Sequence, residues 1–99
     1  MEGHASISSD ILASYAADAA REVDGVRGLV ESGLHRHKGV RLGQDDGRVR
    51  VELHLAVEWG ASIPEVGSEV QRRVAAYLGR MAKVEPDAVD VIVDEIGPA

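Results

Sequence analysis

The chain has 99 residues, of which 44% are apolar, and a formal net charge of -6. This length fits one domain over residues 1–99 with a single core, with flexible ends expected at 1–6 and 97–99. Cysteine is absent, which excludes disulfides, thiol catalysis and cysteine-based metal sites. The negative charge argues against nucleic acid as a partner, and no apolar run approaches the roughly 18 residues of a membrane span. We therefore expect a soluble, cytoplasmic protein without direct membrane insertion.

The charges are distributed unevenly along the chain. Between His35 and Arg50 there are five basic residues and two acidic ones, so this segment carries +3, whereas the remainder carries -9. The sequence therefore predicts one basic segment on an acidic body.

The first predicted element is an amphipathic helix over Asp10–Val23, because its apolar residues recur at helical spacing. Ser8 is a good N-cap, and Gly25 ends the helix. The apolar stripe is rich in alanine, which permits close approach to a sheet or to another helix. Ahead of this helix, Ala5–Ile7 reads either as a very short strand or as an extended lead-in.

The next predicted elements are two strands joined by a turn. Gly25–Lys38 has weak periodicity and three glycines, so we expect an irregular connection there. A short strand at Val40–Leu42 and an Asp46-Gly47 turn lead into a long strand, Arg48–Trp59. Its apolar residues occupy every second position, as in a strand with one buried face.

The second helix is predicted over Ile63–Met81. Ser62 and Glu65 have the spacing of a capping box, and a proline lies in the first turn. A last strand with alternating valines follows at Val89–Asp94.

These elements have the order (β)αββαβ, in which the first strand is optional. The order predicts an α/β fold of the α+β type: a two-layer sandwich with one small mixed sheet and two helices on one face. No Phe and only three aromatic residues are present, so the core between the layers is expected to be aliphatic.

Six segments stand in a distinctive order: Ser-Ile-Ser-Ser-Asp-Ile-Leu-Ala at 6–13, Ala-Arg-Glu-Val-Asp-Gly-Val at 20–26, Lys-Gly-Val at 38–40, Val-Glu-Trp-Gly-Ala-Ser-Ile-Pro-Glu-Val at 57–66, Val-Gln at 70–71 and Val-Asp-Val at 89–91. Together they resemble the alkaline shock protein family of bacterial envelope stress response proteins over nearly the whole chain. The resemblance implies a small cytoplasmic protein without known enzymatic activity, linked to cell-envelope homeostasis and often held at the inner membrane face by a membrane-embedded anchoring partner. Trp59 stands where the family usually has Tyr, and Ala82-Lys83 where it commonly has Thr-Gly.

Candidate catalytic and binding groups each have a simpler structural explanation. His35 and His37 have the spacing of a metal pair on an extended segment, with His4 or His54 as a third ligand, but histidines in a solvated loop are the commoner case. Gly25–Gly28 fits the GxxG loop of KH-type RNA-binding domains by letter, yet helix termination by a glycine explains it better.

Structural roles also explain the serines and the acidic residues near the end of the chain, without a catalytic or metal-binding function. Ser8, Ser9 and Ser62 are better read as helix caps than as nucleophiles, because no nucleophile-elbow motif surrounds them. Four carboxylates lie near the end of the chain: Asp87, Asp90, Asp94 and Glu95. They could form a weak divalent-cation site, but a solvated strand face is the simpler explanation. We therefore predict no catalytic residue, no cofactor and no metal.

The long strand also defines a candidate partner surface. If its apolar residues up to Trp59 face the helices, the opposite face presents Arg48, Arg50, Glu52, His54, Ala56 and Glu58. Asp90, Ile92 and Asp94 of the last strand are expected beside them. Mixed charge favours a solvated or protein-binding face over an apolar pocket.

The sequence thus predicts a noncatalytic interaction protein that self-associates as a homo-oligomer or docks on a membrane-anchored partner. The hypothesised contact joins the basic hairpin of one copy to the acidic face of another copy or of that partner. The alternative is a small-ligand-binding regulatory module of ferredoxin-like architecture, because the order of elements also suits such domains. An enzyme comes third.

Overall fold

The long strand lies at the centre of one sheet. In the computed structural model, which describes residues 7–31 and 37–98, it forms β3 (Arg48–Glu58) and pairs with the three other strands. Val51, Leu53, Leu55 and Val57 are fully buried, because alternate side chains of a strand point to the same face. The predicted period of two is confirmed over this part of the chain.

Strand β3 has one edge divided between two short strands and the other edge covered by one long strand. β2 (Val40–Asp45) is antiparallel to its first half, and β1 (Val26–Leu29) is antiparallel to its last residues. β4 (Ala88–Gly97) runs parallel to β3 from Arg50 to Glu58. The sheet is mixed, as predicted, and the parallel pair requires a crossover connection, which a helix supplies.

Both helices pack on the face of the sheet that carries the buried residues of β3: α1 (Ser9–Arg21) and α2 (Ile63–Ala82). The oxygen of Ser8 accepts a hydrogen bond from the Ile11 N–H at 3.2 Å, and that of Ser62 accepts from the Glu65 N–H at 3.4 Å. Each serine satisfies one of the free N–H groups at a helix start. The predicted caps Ser8 and Ser62 and the two-layer α+β class are confirmed, whereas Ser9 is the first residue of α1 and not its cap.

The core between the layers is aliphatic. Helix α1 contributes Leu12 and five buried alanines, and α2 contributes three buried valines and Leu78. Because alanine is small, α1 lies close to both the sheet and α2. Tyr15 and Tyr77 join the two helices edge to face, with ring centroids 5.8 Å apart.

Two expectations from the sequence are wrong. Gly25–Lys38 is not irregular throughout, because it contains β1, where the pairing register with β3 shifts between Val26 and Gly28 and so hides the period of two. Trp59 is not in the core: β3 ends at Glu58, and Trp59 starts the turn to α2 with 78% of its surface exposed.

Other predicted elements shift only at their ends. The described elements have the order αβββαβ, which is the predicted helix and strand order with β1 added. Ile7 is in no strand, and the rest of the optional Ala5–Ile7 strand lies outside the described residues. β4 extends to Gly97, beyond the predicted Asp94.

Alanine substitutions of Gly25 and Gly47 should differ in their effect on stability, because only one of the two glycines packs against a neighbouring side chain. Gly25 (φ 95°) and Gly47 (φ 77°) both have left-handed backbones, but a methyl group on Gly25 would lie 2.8 Å from Val66 Cγ2, whereas Gly47 has nothing within 4 Å. Gly47→Ala should cost about 1 kcal/mol of unfolding free energy, and Gly25→Ala roughly 2 kcal/mol or more. Equal losses in urea denaturation would contradict the packing of Gly25 against α2.

The backbone at the end of α2 is strained, and a glycine substitution should relieve the strain. Lys83 caps the helix with a left-handed backbone, φ 56°, a conformation that favours glycine. We expect Lys83→Gly to raise the free energy of unfolding by about 1 kcal/mol. Ala76→Gly, in the exposed interior of the same helix, should lower it by about as much. A destabilised Lys83→Gly variant in thermal or urea denaturation would disprove the assignment.

Candidate interaction surfaces

The outer face of the sheet, opposite the helices, carries all five residues of the predicted partner surface. Their environments differ from one another. Arg48 and Arg50 are exposed, Glu52 and Glu58 are half-buried, and His54 is only 5% exposed. The face therefore has an exposed basic part at the start of β3 and a closed part at its middle.

His54 is the one buried polar side chain among the described residues. Its Nδ1 lies 2.9 Å from Asp94 Oδ2, and its Nε2 lies 2.8 Å from Glu52 Oε2. Asp94 reaches the ring because the register of β3 and β4 shifts between Leu55 and Ala56, which leaves Asp94 as the extra residue of a bulge. Strand alternation predicts that these residues share a face, but the bulge that closes the cluster leaves no mark in the sequence.

The basic part of the outer face borders a shallow depression of about 270 Å³, lined by Arg41, Gly43, Arg50, Glu52 and Asp90. Arg50 Nη2 lies 3.6 Å from Asp90 Oδ2, and both side chains are more than half exposed, so this ion pair contributes little to stability. Arg41 belongs to this surface because it pairs in register with Glu52. The Asp46-Gly47 turn predicts that hairpin, so the register could have located Arg41.

Arg27 covers the other end of the outer face. It lies in the shifted part of β1, and its guanidinium lies over Gly97 of β4, where an added methyl group would be 2.8 Å from Arg27 Nη1. Since β1 and β4 flank opposite edges of β3, the side chain crosses the strand, and the outward-facing Ala56 is only 8% exposed. The sequence gives no sign of this contact while β1 is read as a connection.

An acidic depression of about 490 Å³ lies where α1 ends, β3 ends and α2 begins. Five acidic residues line it: Glu22, Asp24, Glu58, Glu65 and Glu69. Among the described residues of its lining, Arg73 is the one basic residue. Of the predicted surface residues, only Glu58 belongs to this depression. We call it the acidic pole, and we call the exposed group of Arg41, Arg48 and Arg50 the basic pole.

Large apolar side chains are exposed after the end of β3, at the start of α2 and near the end of β4. Trp59 follows Glu58 directly, and its backbone N–H donates to the Gly97 carbonyl. Ile63, at the start of α2, is 40% exposed, and Ile96, near the end of β4, is 49% exposed. An exposed tryptophan in an ordered turn is typical of residues that dominate protein interfaces.

The predicted histidine pair is only partly described. His35 and His4 lie outside the described residues, and His37 is half-buried with its Nε2 3.4 Å from Ser14 Oγ. Within residues 7–31 and 37–98, no group of three or more His, Asp or Glu could hold a metal ion. No helix in that part of the chain is long and apolar enough to cross a membrane.

Solved structures share this arrangement of elements. The chain is similar to MamM CTD 215–293, with a TM-score of 0.58 and 15% identity over 87% of this chain and 96% of the other. It is also similar to a manganese form and a cadmium form of MamM CTD variants, each with a TM-score of 0.57 and 16% identity over 87% of this chain and over 96% and 94% of theirs. At such low identity the likeness establishes the fold alone.

The family is established by sequence. The chain matches the alkaline shock protein family, described as having a cell envelope-related function, over residues 1–98 and belongs to it. It is 27% identical to YqhY of Bacillus subtilis over 90% of this chain and 73% of YqhY, and 24% identical to YloU of the same organism over 95% and 88%. Spy1614 of Streptococcus pyogenes is 27% identical over 96% and 88%. All three relatives are described as uncharacterized, and the resemblance noted in the sequence is confirmed.

The pKa of Glu69, a residue of the acidic pole, can be measured to test its ion pairs with Arg72 and Arg73. Arg72 Nε donates to Oε2 at 3.1 Å and Arg73 Nε donates to Oε1 at 3.0 Å, and these bonds lower the pKa of Glu69 from 4.5 to about 2. The ion pairs should thus be intact above pH 4.5 and lost as the pH falls through about 2. We expect carboxyl NMR to show a Glu69 midpoint near 2.

Arg72→Gln with Arg73→Gln should move that midpoint back towards 4.5. A midpoint already near 4.5 in the unchanged protein would show that the two arginines do not hold the carboxylate in solution.

Proposed function

We propose that this protein is a noncatalytic, cytoplasmic interaction module of cell-envelope homeostasis, which self-associates and docks on a membrane-anchored partner. The observation that supports this proposal best is the separation of the basic pole and the acidic pole on one rigid domain. The family's cell envelope-related function is consistent with it.

The two poles lie too far apart to neutralise each other within one molecule. Arg48 begins β3 and Glu58 ends it, and ten residue steps along a strand span about 33 Å. At physiological ionic strength, charges more than roughly 8 Å apart are largely screened from each other. A second molecule can instead bring its basic pole to the acidic pole of the first. Such a head-to-tail contact uses two different surfaces and leads to rings or open chains of copies.

Trp59 supplies the apolar component of such a contact. Charge complementarity alone sets orientation and association rate more than affinity. An exposed aromatic side chain beside the acidic pole offers area that a partner can bury, and buried aromatics carry much of the binding energy of interfaces. We therefore include Trp59 with Glu58 and Glu65 in the docking surface.

A membrane-anchored partner would present suitable chemistry to the same surface. Segments on the cytoplasmic side of membrane spans are enriched in Lys and Arg. Such a segment, with an apolar residue against Trp59, would match the acidic pole in the same way as the basic pole of another copy. Self-association and anchoring would then compete for one surface.

Charge reversal at either pole should break the self-association. We expect Arg48→Glu with Arg50→Glu, or Glu58→Arg with Glu65→Arg, to shift sedimentation towards the monomer at about 0.05 M salt, and the unchanged protein to do so at about 0.5 M. An equimolar mixture of the two reversed variants should assemble again, because each basic surface then meets an acidic one.

Glu31→Arg with Glu85→Arg is the matched control. It changes the net charge as much as the reversal of Glu58 and Glu65 but lies outside the acidic pole, so assembly should persist. In pull-downs from solubilised membranes, the control should retain an integral membrane protein that the Glu58 and Glu65 variant loses. A monomer under all salt conditions would refute self-association, and thermal stabilisation by a metabolite would favour the ligand-binding alternative.

A further inference from the structure

We propose that Glu52, His54 and Asp94 form a proton-dependent clamp that holds the bulged part of β4 against β3 and loosens at high pH. This property belongs to the isolated domain and does not depend on the interaction function proposed above.

Both hydrogen bonds of the clamp require a donor on the imidazole ring or a proton on a carboxyl group. Nδ1 faces Asp94 Oδ2 at 2.9 Å, and Nε2 faces Glu52 Oε2 at 2.8 Å. Ionised carboxylates only accept hydrogen bonds, whereas a neutral imidazole has one N–H and one lone pair. With a neutral ring and two ionised carboxylates, one contact would set a lone pair against a carboxylate oxygen. Both contacts can therefore be hydrogen bonds only when the cluster holds one additional proton.

The cost of losing that proton is high because the ring is buried. His54 is 5% exposed, so water cannot readily replace a lost partner, and an unpaired buried polar group is destabilising. The side chains of Glu52 and Asp94 are themselves about one third exposed, at 32% and 29%. They can relax into solvent, and the ring cannot.

The clamp acts where the pairing of β4 is interrupted. Among the strands of residues 7–31 and 37–98, β4 pairs with β3 alone, and the register shift next to Asp94 interrupts that pairing between Leu55 and Ala56. The side-chain bonds of the clamp bridge this interruption. Release would therefore loosen β4 at the bulge around Asp94, although Glu95, Ile96 and Gly97 beyond it pair with β3 again.

The other charged groups on this side are carboxylates, arginines and one lysine. They are Arg27 of β1, Arg41 of β2, Arg50 and Glu58 of β3, Asp90 and Glu95 of β4, with Glu31 and Lys38 beside the segments that hydrogen-bond the His54 backbone. Ordinary carboxylic acids are ionised above about pH 5, and Lys and Arg stay charged below about pH 10. Between pH 6 and pH 9, histidine is the residue type of this surface whose charge ordinarily changes.

Thermal unfolding of the unchanged protein and of matched variants tests the clamp. The melting temperature of the unchanged protein should fall by roughly 5 °C between pH 6 and pH 9. Glu52→Gln should flatten this dependence, because an amide can accept from a protonated ring or donate to a neutral one. His54→Gln should also flatten it, and His37→Gln, the control on the helix side, should retain the full fall.

Nitrogen NMR of the unchanged protein keeps the test decisive if a variant fails to fold. At pH 6 both ring nitrogens of His54 should have the shifts of a doubly protonated ring, or one carboxyl of the pair should carry the proton. At pH 9 the hydrogen-exchange protection of β4 amides near Asp94 should fall by about tenfold relative to those of α2. A neutral ring between two ionised carboxylates at pH 6, or equal pH dependence in the unchanged protein and His54→Gln, would overturn the clamp.

Discussion

The different chemistry of the two faces of β3 is the constraint on which the rest of the domain depends. Val51, Leu53, Leu55 and Val57 are fully buried, so the strand can tolerate neither a slip of one residue nor an exchange of faces. Both helices must then lie on that face, and all the charged residues of the strand must lie on the other. The outer face acquires its mixture of charges as a consequence of how the core is built.

The same strand sets the distance between the two poles. The hairpin at its start places Arg41 opposite Glu52, in the depression that Arg50 also lines, and the turn at its end brings Glu58 close to the ends of α1 and α2. Neither pole is formed by one contiguous segment of sequence. A long central strand therefore converts a lopsided charge distribution along the chain into two separate surfaces on a folded domain.

Much of this fold could be predicted from local signals. The period of two in β3, the serine caps of both helices and the alanine stripe of α1 each depend on a few neighbouring residues. Features that depend on distant residues could not be predicted. The register shift in β1 breaks the period of two, so the sequence does not indicate that strand. The bulge that brings Asp94 to His54 depends on the pairing of β3 with β4. Glu22, Asp24 and Glu65 come close to Glu58 only after both helices have packed. The prediction that Trp59 lies in the core was wrong because alternation of apolar and polar residues shows where a strand can continue. It does not show where the neighbouring strand stops pairing with it.

The parallel pairing of β3 with β4 has a consequence for how the domain folds. The register partners Arg50 and Ala88 are separated by the whole of α2, whereas the β2–β3 hairpin and the caps are local. Contacts between distant residues form late, because the intervening chain must first lose its freedom. Until β4 docks, the longest edge of β3 presents unpaired backbone groups next to a run of valines and leucines, which is an aggregation hazard. Substitutions that slow the docking of β4 could thus lower the yield of folded protein without changing the stability of the folded state.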